Sequence, residues 1–319
     1  MMFPDWYTPL AGAANGLIDQ MIVLYGDRAE QASNTFLKVL VWTEQWLRNL
    51  PPWVMIAASA ALAAALSKKW SLGVMVSAGL WVIGALGQWD AAMQSLALMF
   101  CAILCCLVCG LPLGIACANL PRVRAVVVPL LDLMQTIPIF VYLLPIAMLL
   151  GLGKVPALLA TVVYAIAPVI RLTDLGIRQV DSAALEAAKS FGATAWQRLV
   201  KVQLPLAGPT ILQGINQTTL LALSMVVIAS MIGARGVGET VLLGLQRNDL
   251  GMGLVGGIVI CILAILLDRT MQGAGVRWQT RSVWQGRLSK QLSPPPSPPP
   301  SPPLSTPPSP PLSPPLRTF

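Results

Sequence analysis

The chain has 319 residues, 55% apolar and 11% charged, with a mean hydropathy of +0.70, a formal net charge of +8, six cysteines and no histidine. About 25% of the residues of an average soluble domain are charged, so this chain lacks the polar surface that a water-soluble globule of its size needs and reads as an all-α integral membrane protein. The missing histidine excludes imidazole general bases, Ser-His and Cys-His pairs and histidine-ligated metals; no catalytic residue, metal or cofactor is assigned.

Residues 1–48 carry five acids and three bases, and Pro4, Asp5 and Pro9 stand where a cleavable signal peptide would have a basic start and an apolar run. The segment is expected to be an external tail without such a signal. Its second half, residues 28–50, places Phe36, Leu37, Leu40, Val41, Trp46 and Leu47 in an amphipathic pattern suited to a membrane surface. A loosely ordered tail is the alternative reading.

A helix crosses roughly 30 Å of hydrocarbon with about 20 residues. Seven stretches between consecutive charges approach that length: 49–67, 70–89, 91–121, 133–153, 155–170, 202–234 and 250–267. Helices are the expected form, because no alternating barrel pattern is visible. The 155–170 stretch is the shortest, and Arg171 is expected to lengthen it by snorkelling. The first two stretches, within 49–89, are taken as accessory spans, and 90–272 as the core.

In the third stretch Cys101, Cys105 and Cys109 form one helical stripe beside Cys106 and Cys117, while Cys261 lies in the last. Such a stripe suits either a soft metal or redox site or small apolar packing; with no histidine and no acid nearby, packing is the reading taken. Gly110 and Gly114 form a GxxxG that lets helices approach closely. Asp132 reads either as a functional intramembrane acid or, preferred here, as an interfacial acid near a helix N-terminus.

Assigning alternate loops to one side collects 15 of the 21 basic residues and 5 of the 13 acidic ones there. Cytoplasmic loops hold the excess of Lys and Arg, so the N-terminus is expected outside and the C-terminus inside. On the inner side falls the long loop 171–205. Asp181 or Ser182 is placed to cap a first helix over the Ala-rich run to Lys189, and Gly192 to end it in a left-handed turn. Thr194 and Gln197 have capping-box spacing for a second helix, which Leu204 before Pro205 is expected to close. The apolar faces, Leu185, Ala188 and Phe191 on the first helix and Trp196, Leu199 and Val200 on the second, need a surface to pack against. From periodicity alone that surface is either lipid headgroups or a partner protein. Beyond the last span, residues 273–319 are expected to be a disordered cytoplasmic tail, with 14 of the 27 prolines after residue 290 in a partly polyproline-II form. The tail is either a ligand for a proline-reading partner or a dispensable extension.

Glu186-Ala187-Ala188, then Gly192, then Val202-x-Leu204-Pro205 resembles the EAA motif of permease subunits of ATP-binding-cassette importers. Val202 stands where isoleucine is commoner. The runs Met134–Pro145 and Leu223–Gly233, with Gly236-Val237-Gly238 and Leu267-Asp268-Arg269, resemble the glycine betaine/proline betaine branch over roughly residues 50–272. Arg235 departs from that pattern, where Ala-Gly-Gly is as readily expected.

The resemblance implies a MetI-like type I importer core of about seven transmembrane helices in a bacterial inner membrane. It implies an EAA helix (Glu186, Ala187, Ala188, Gly192, Val202, Leu204, Pro205) docking on a cytoplasmic ATP-binding subunit. An external solute-binding protein and a second permease copy complete the implied set of partners, with no role for nucleic acid. The chain has no G-x-x-x-x-G-K-[ST] phosphate loop, in keeping with a transport subunit rather than an enzyme. A quaternary amine substrate is held by aromatic faces, which makes Phe140, Tyr142 and Tyr164 pathway candidates; packing or interfacial anchoring is the other reading. Two alternatives remain: a permease for another small solute such as an amino acid, and an ion-coupled carrier. The latter calls for paired intramembrane charges and repeated broken helices, and the sequence offers Asp132 alone.

Overall fold

The computed structural model describes residues 7–292; residues 1–6 and 293–319, and with them the proline-rich run, lie outside the described residues. Two units divide the chain, residues 1–282 and 283–319. The described residues are almost entirely helical.

Helix α1 (Tyr7–Asn49) stops before Pro51 and Pro52, and α2 (Pro52–Ser67) leaves at a bend of 102° to the last part of α1. A turn in which Lys68 takes φ 55° leads into α3 (Trp70–Ala85). The α2–α3 hairpin is held by small residues, with Gly73 set against Ala60 and Ala64. Next come α4 (Trp89–Asn119), α5 (Pro121–Thr136) and α6 (Ile139–Leu150). Between the last two, Ile137 is extended (φ −69°, ψ 131°), as the residue before a proline prefers, and the axis bends by 97°. Helices α7 (Lys154–Ala165) and α8 (Ala167–Arg178) run on as one 25-residue span. They are followed by α9 (Ser182–Ser190), α10 (Ala195–Arg198), α11 (Leu204–Met231), α12 (Val237–Gln246) and α13 (Leu250–Leu292).

All seven uncharged stretches are helical, but only four belong to continuous helices long and apolar enough to cross a bilayer: 89–119, 154–178, 195–231 and 250–273. The 49–67 and 133–153 stretches fall in the two bent pairs, and the 70–89 stretch yields a helix of 16 residues. The short fifth stretch is completed by the helix itself, which runs to Arg178. Arg171, within that helix, is ion-paired with Asp132. Asp132 in turn sits near the C-terminal end of α5, not at a helix N-terminus, because Pro121 starts that helix.

The core is the crossing of α4, α8 and α11. With no water to expel between helices in lipid, close packing must hold them together. Gly110 and Gly114 supply it as the GxxxG spacing predicts: a Cβ at Gly110 would lie 2.5 Å from Val169 Cγ1, and one at Gly114 would lie 2.6 Å from Thr173 Cβ. Gly214 of α11 closes the other side of α8, where a Cβ would lie 3.0 Å from Leu172 Cβ. Of the cysteines, Cys101, Cys106 and Cys117 are buried, the first in a cluster with Leu40 of α1 and Leu158 of α7, whereas Cys109 and Cys261 are exposed. The amphipathic end of α1 is not wholly a surface helix. Leu40, Thr43 and Glu44 are buried against the bundle, while Trp42 and Trp46 remain exposed.

Candidate functional site

Between α8 and α11 the chain forms the hairpin α9–α10, whose residues are mostly exposed. Asp181 caps α9 by accepting a hydrogen bond from Ala183 N at 3.0 Å. At the other end Gly192 takes φ +76°, Ala193 N donates to Ala188 O at 3.1 Å and Gly192 N to Lys189 O at 2.9 Å, a Schellman closure that satisfies the orphan carbonyls. The predicted capping box is present: Gln197 N donates to Thr194 Oγ1 at 3.3 Å, and Thr194 N to Gln197 Oε1 at 2.9 Å. Caps at both ends of α9 and at the start of α10 thus come from within the hairpin itself.

Two boundaries differ from expectation. The loop begins after Arg178 rather than at Arg171, because α8 continues. Nor do Leu204 and Pro205 close the second helix: α10 passes through a π-turn, Leu199–Gln203, directly into α11. Leu204 N bonds Leu199 O, five residues back. That widened turn accommodates the proline, whose missing N–H and ring would conflict with a regular α-turn.

Glu186, Ala187 and Gly192 are exposed, Ala188 is half-buried, and Val202, Leu204 and Pro205 are half-buried where the π-turn joins the bundle. Leu199 anchors the hairpin, packing with Ile177, Ala207 and Ile211. Leu185 is half-buried like Ala188, while the two large aromatic side chains are left in the open, Phe191 92% exposed and Trp196 72%. The hairpin thus presents the EAA positions on one exposed helix and two large aromatic side chains beside it.

The aromatic candidates are less united. The hydroxyl of Tyr142 on α6 is buried without a hydrogen-bond partner, and Tyr164 of α7 is partly buried against the cluster that holds Leu143. Phe140 is instead 55% exposed on the first turn of α6.

Several charged contacts escaped the sequence reading. Asp174, 5% exposed, accepts from Arg178 Nε at 2.8 Å and Nη2 at 3.1 Å, and from Arg124 Nε of α5 at 3.2 Å. Asp132 pairs with Arg171, so the acid that seemed to stand alone has a partner. Elsewhere Glu44 pairs with Lys154 and Arg48, and Arg48 with Asp90, tying the end of α1 to the starts of α7 and α4. Asn216 Nδ2 donates to Asp268 Oδ1 at 2.9 Å, joining α11 to α13. The i,i+4 spacing of Asp174 and Arg178 was a readable signal; the partners on other helices were not. Around Arg235, which is exposed and so free to depart from the family pattern, the glycines are fixed by space: a Cβ at Gly238 would lie 2.2 Å from Val226 O.

Continuous and broken apolar spans around a glycine-packed crossing, with an exposed helical hairpin between two spans, make this a multi-span membrane protein. The chain belongs to the binding-protein-dependent transport system inner membrane component family, whose profile matches residues 110–273. It is 52% identical over 232 residues to the glycine betaine/proline betaine transport system permease protein ProW of Escherichia coli (strain K12), covering 73% of this chain and 65% of that protein. With its counterpart from Salmonella typhimurium (strain LT2) the identity is 54%, covering 64% of this chain and 58% of that one. The chain therefore spans about three fifths of the length of these two relatives. The glycine betaine transport system permease protein OpuAB of Bacillus subtilis (strain 168) is 41% identical over 273 residues, covering 86% of this chain and 96% of that one. Among solved structures, the inward-facing MetNI methionine ABC transporter in its native crystal form superposes with a TM-score of 0.52 at 22% identity, covering 61% of this chain and 95% of that one. That likeness concerns the fold.

Proposed function

We propose that this chain is the permease subunit of an ATP-driven importer for small quaternary amines of the glycine betaine and proline betaine type, coupled to a separate ATPase through α9. The carrying observation is the hairpin: a helix capped at both ends, with Glu186 and Ala187 exposed and Phe191 and Trp196 unburied. Such a short helix gains little by itself in water, and burying each large apolar side chain on a partner contributes roughly 1.5–3 kcal/mol. A cytoplasmic ATP-binding subunit with a groove and a basic residue for Glu186 fits that face. An external solute-binding protein and a second copy of this chain complete the proposed transporter.

The solute class is supported by the names of relatives that share about half of the matched residues. Phe140, Tyr142 and Tyr164 remain the proposed contacts for a quaternary ammonium group. The asymmetry of basic residues supports an external N-terminus and a cytoplasmic C-terminus. The proposed plan is then an external segment 1–48, accessory helices 49–89, a permease core 90–272 and a cytoplasmic tail 273–319.

The test is reconstitution in liposomes with an ATP-binding subunit and a solute-binding protein from the same source, measuring uptake of labelled glycine betaine against choline and amino acids. ATP-dependent uptake of glycine betaine that needs all components is expected. ATP-independent uptake by this chain alone, or uptake confined to amino acids, overturns the assignment.

A further inference from the structure

Helix α8 is gripped on two sides by glycines, Gly110 and Gly114 of α4 and Gly214 of α11, with no room for a side chain at any of the three. Helix α5 is attached to it differently. Val123, Val127, Leu131 and Met134 of α5 join an apolar cluster with Ala167, Val169 and Ile170 of α8. Such contacts are non-directional and do not by themselves fix how far one helix sits along the other.

Two ion pairs of opposite polarity cross the same interface. Near its start α5 offers Arg124 to Asp174 of α8, at 3.2 Å; further along it offers Asp132 to Arg171. A slip of α5 along α8 that carried Asp132 toward Asp174, or Arg124 toward Arg171, would oppose like charges. Complementary polarity fixes register here as it does between facing helices elsewhere. The first pair is joined to the hairpin: Asp174 also holds Arg178 in the last turn of α8, just ahead of Asp181, the cap of α9. At its far end α5 meets the 97° break before α6.

We propose that the crossed pairs Arg124–Asp174 and Asp132–Arg171 are a register lock that makes α5, and through it the broken α5–α6 element, follow displacement of the α9 hairpin. Arg124, Asp132, Arg171 and Asp174 are on this assignment positioning residues. The proposal rests on the reading of α9 as the ATPase-docking helix.

The experiment uses the complete reconstituted transporter and reads solute taken up per ATP hydrolysed for Asp132→Arg, Arg171→Asp and the exchanged double variant. Each single variant is expected to lower the ratio about five-fold or more, and the exchange to bring it back within about two-fold of the parent. A pair with a merely structural role would change yield or melting temperature and leave solute per ATP untouched. That result, or an exchange no better than either single variant, overturns the lock. Asp132→Asn, which keeps the shape and removes the charge, is measured alongside in case a reversal fails to assemble; it too is expected to lower the ratio, and an unchanged ratio counts against the lock. Glu186→Lys is run in the same preparation. If it leaves the ratio unchanged, the docking reading fails; if it uncouples while the Asp132 and Arg171 variants do not, only the lock fails.

Discussion

The α4–α8–α11 crossing and the α9–α10 hairpin both depend on small residues, for opposite physical reasons. At the crossing, Gly110, Gly114 and Gly214 are needed because a neighbour already occupies the space where a Cβ would go. In the hairpin, a Cβ on Gly192 would meet nothing within 4 Å, and the glycine is needed for its backbone angle of +76°. Ala187 is exposed beside it. Small residues make one region rigid by removing the gap between helices; in the other they leave a slim, self-sufficient helix for something else to cover. Damage to the first should appear as lost folding, and damage to the second as lost coupling in a folded protein.

Four substitutions test that contrast. Gly114→Leu should have the largest effect, since its Cβ alone would stand 2.9 Å from Ile170 O and the rest of the side chain has no place to go. Overpacking of this kind costs about 1–3 kcal/mol or more, and the yield of monodisperse protein in detergent should collapse. Gly192→Glu should leave that yield intact and reduce ATP-dependent uptake about ten-fold, because it places a side chain and a charge on a left-handed turn at a strain of roughly 1–2 kcal/mol. Asp181→Ala removes the α9 cap, worth about 1 kcal/mol, and should raise hydrogen exchange within Ser182–Ser190 with little change at the crossing. Phe191→Ala should be the mildest for folding, within about 0.5 kcal/mol by thermal denaturation, while weakening binding of the ATPase subunit. A marked loss of folded protein from that last change would mean that Phe191 is not the free side chain its 92% exposure indicates.

The ionic contacts sharpen the comparison further. Asp174 is buried, and three guanidinium hydrogen bonds hold it in place, so it belongs to the rigid side although it stands only a few residues before the exposed hairpin. The π-turn Leu199–Gln203 plays the matching part downstream, carrying the hairpin into α11 without a break. Upstream, the three residues 179–181 separate α8 from α9, whereas the downstream exit from the hairpin is helically continuous with the bundle. Closure of the second helix at Leu204, as the proline rule suggests, would have placed a flexible joint there instead.

Composition, and neighbours a few residues apart, were enough for part of this fold. Eleven per cent charge in a chain this apolar required a membrane, and the GxxxG spacing marked a close helix crossing. The Asp181 cap, the Gly192 turn and the Thr194–Gln197 box were legible because each is closed by hydrogen bonds within five residues. Tertiary structure alone decided which stretches bend and which run through a proline, since Pro138 breaks an axis by 97° while Pro205 is absorbed by a wider turn. It also decided which charges meet. Asp132 and Arg171 lie 39 residues apart and Glu44 and Lys154 lie 110 apart, separations at which no local spacing rule operates and only the packing of helices brings a carboxylate to a cation.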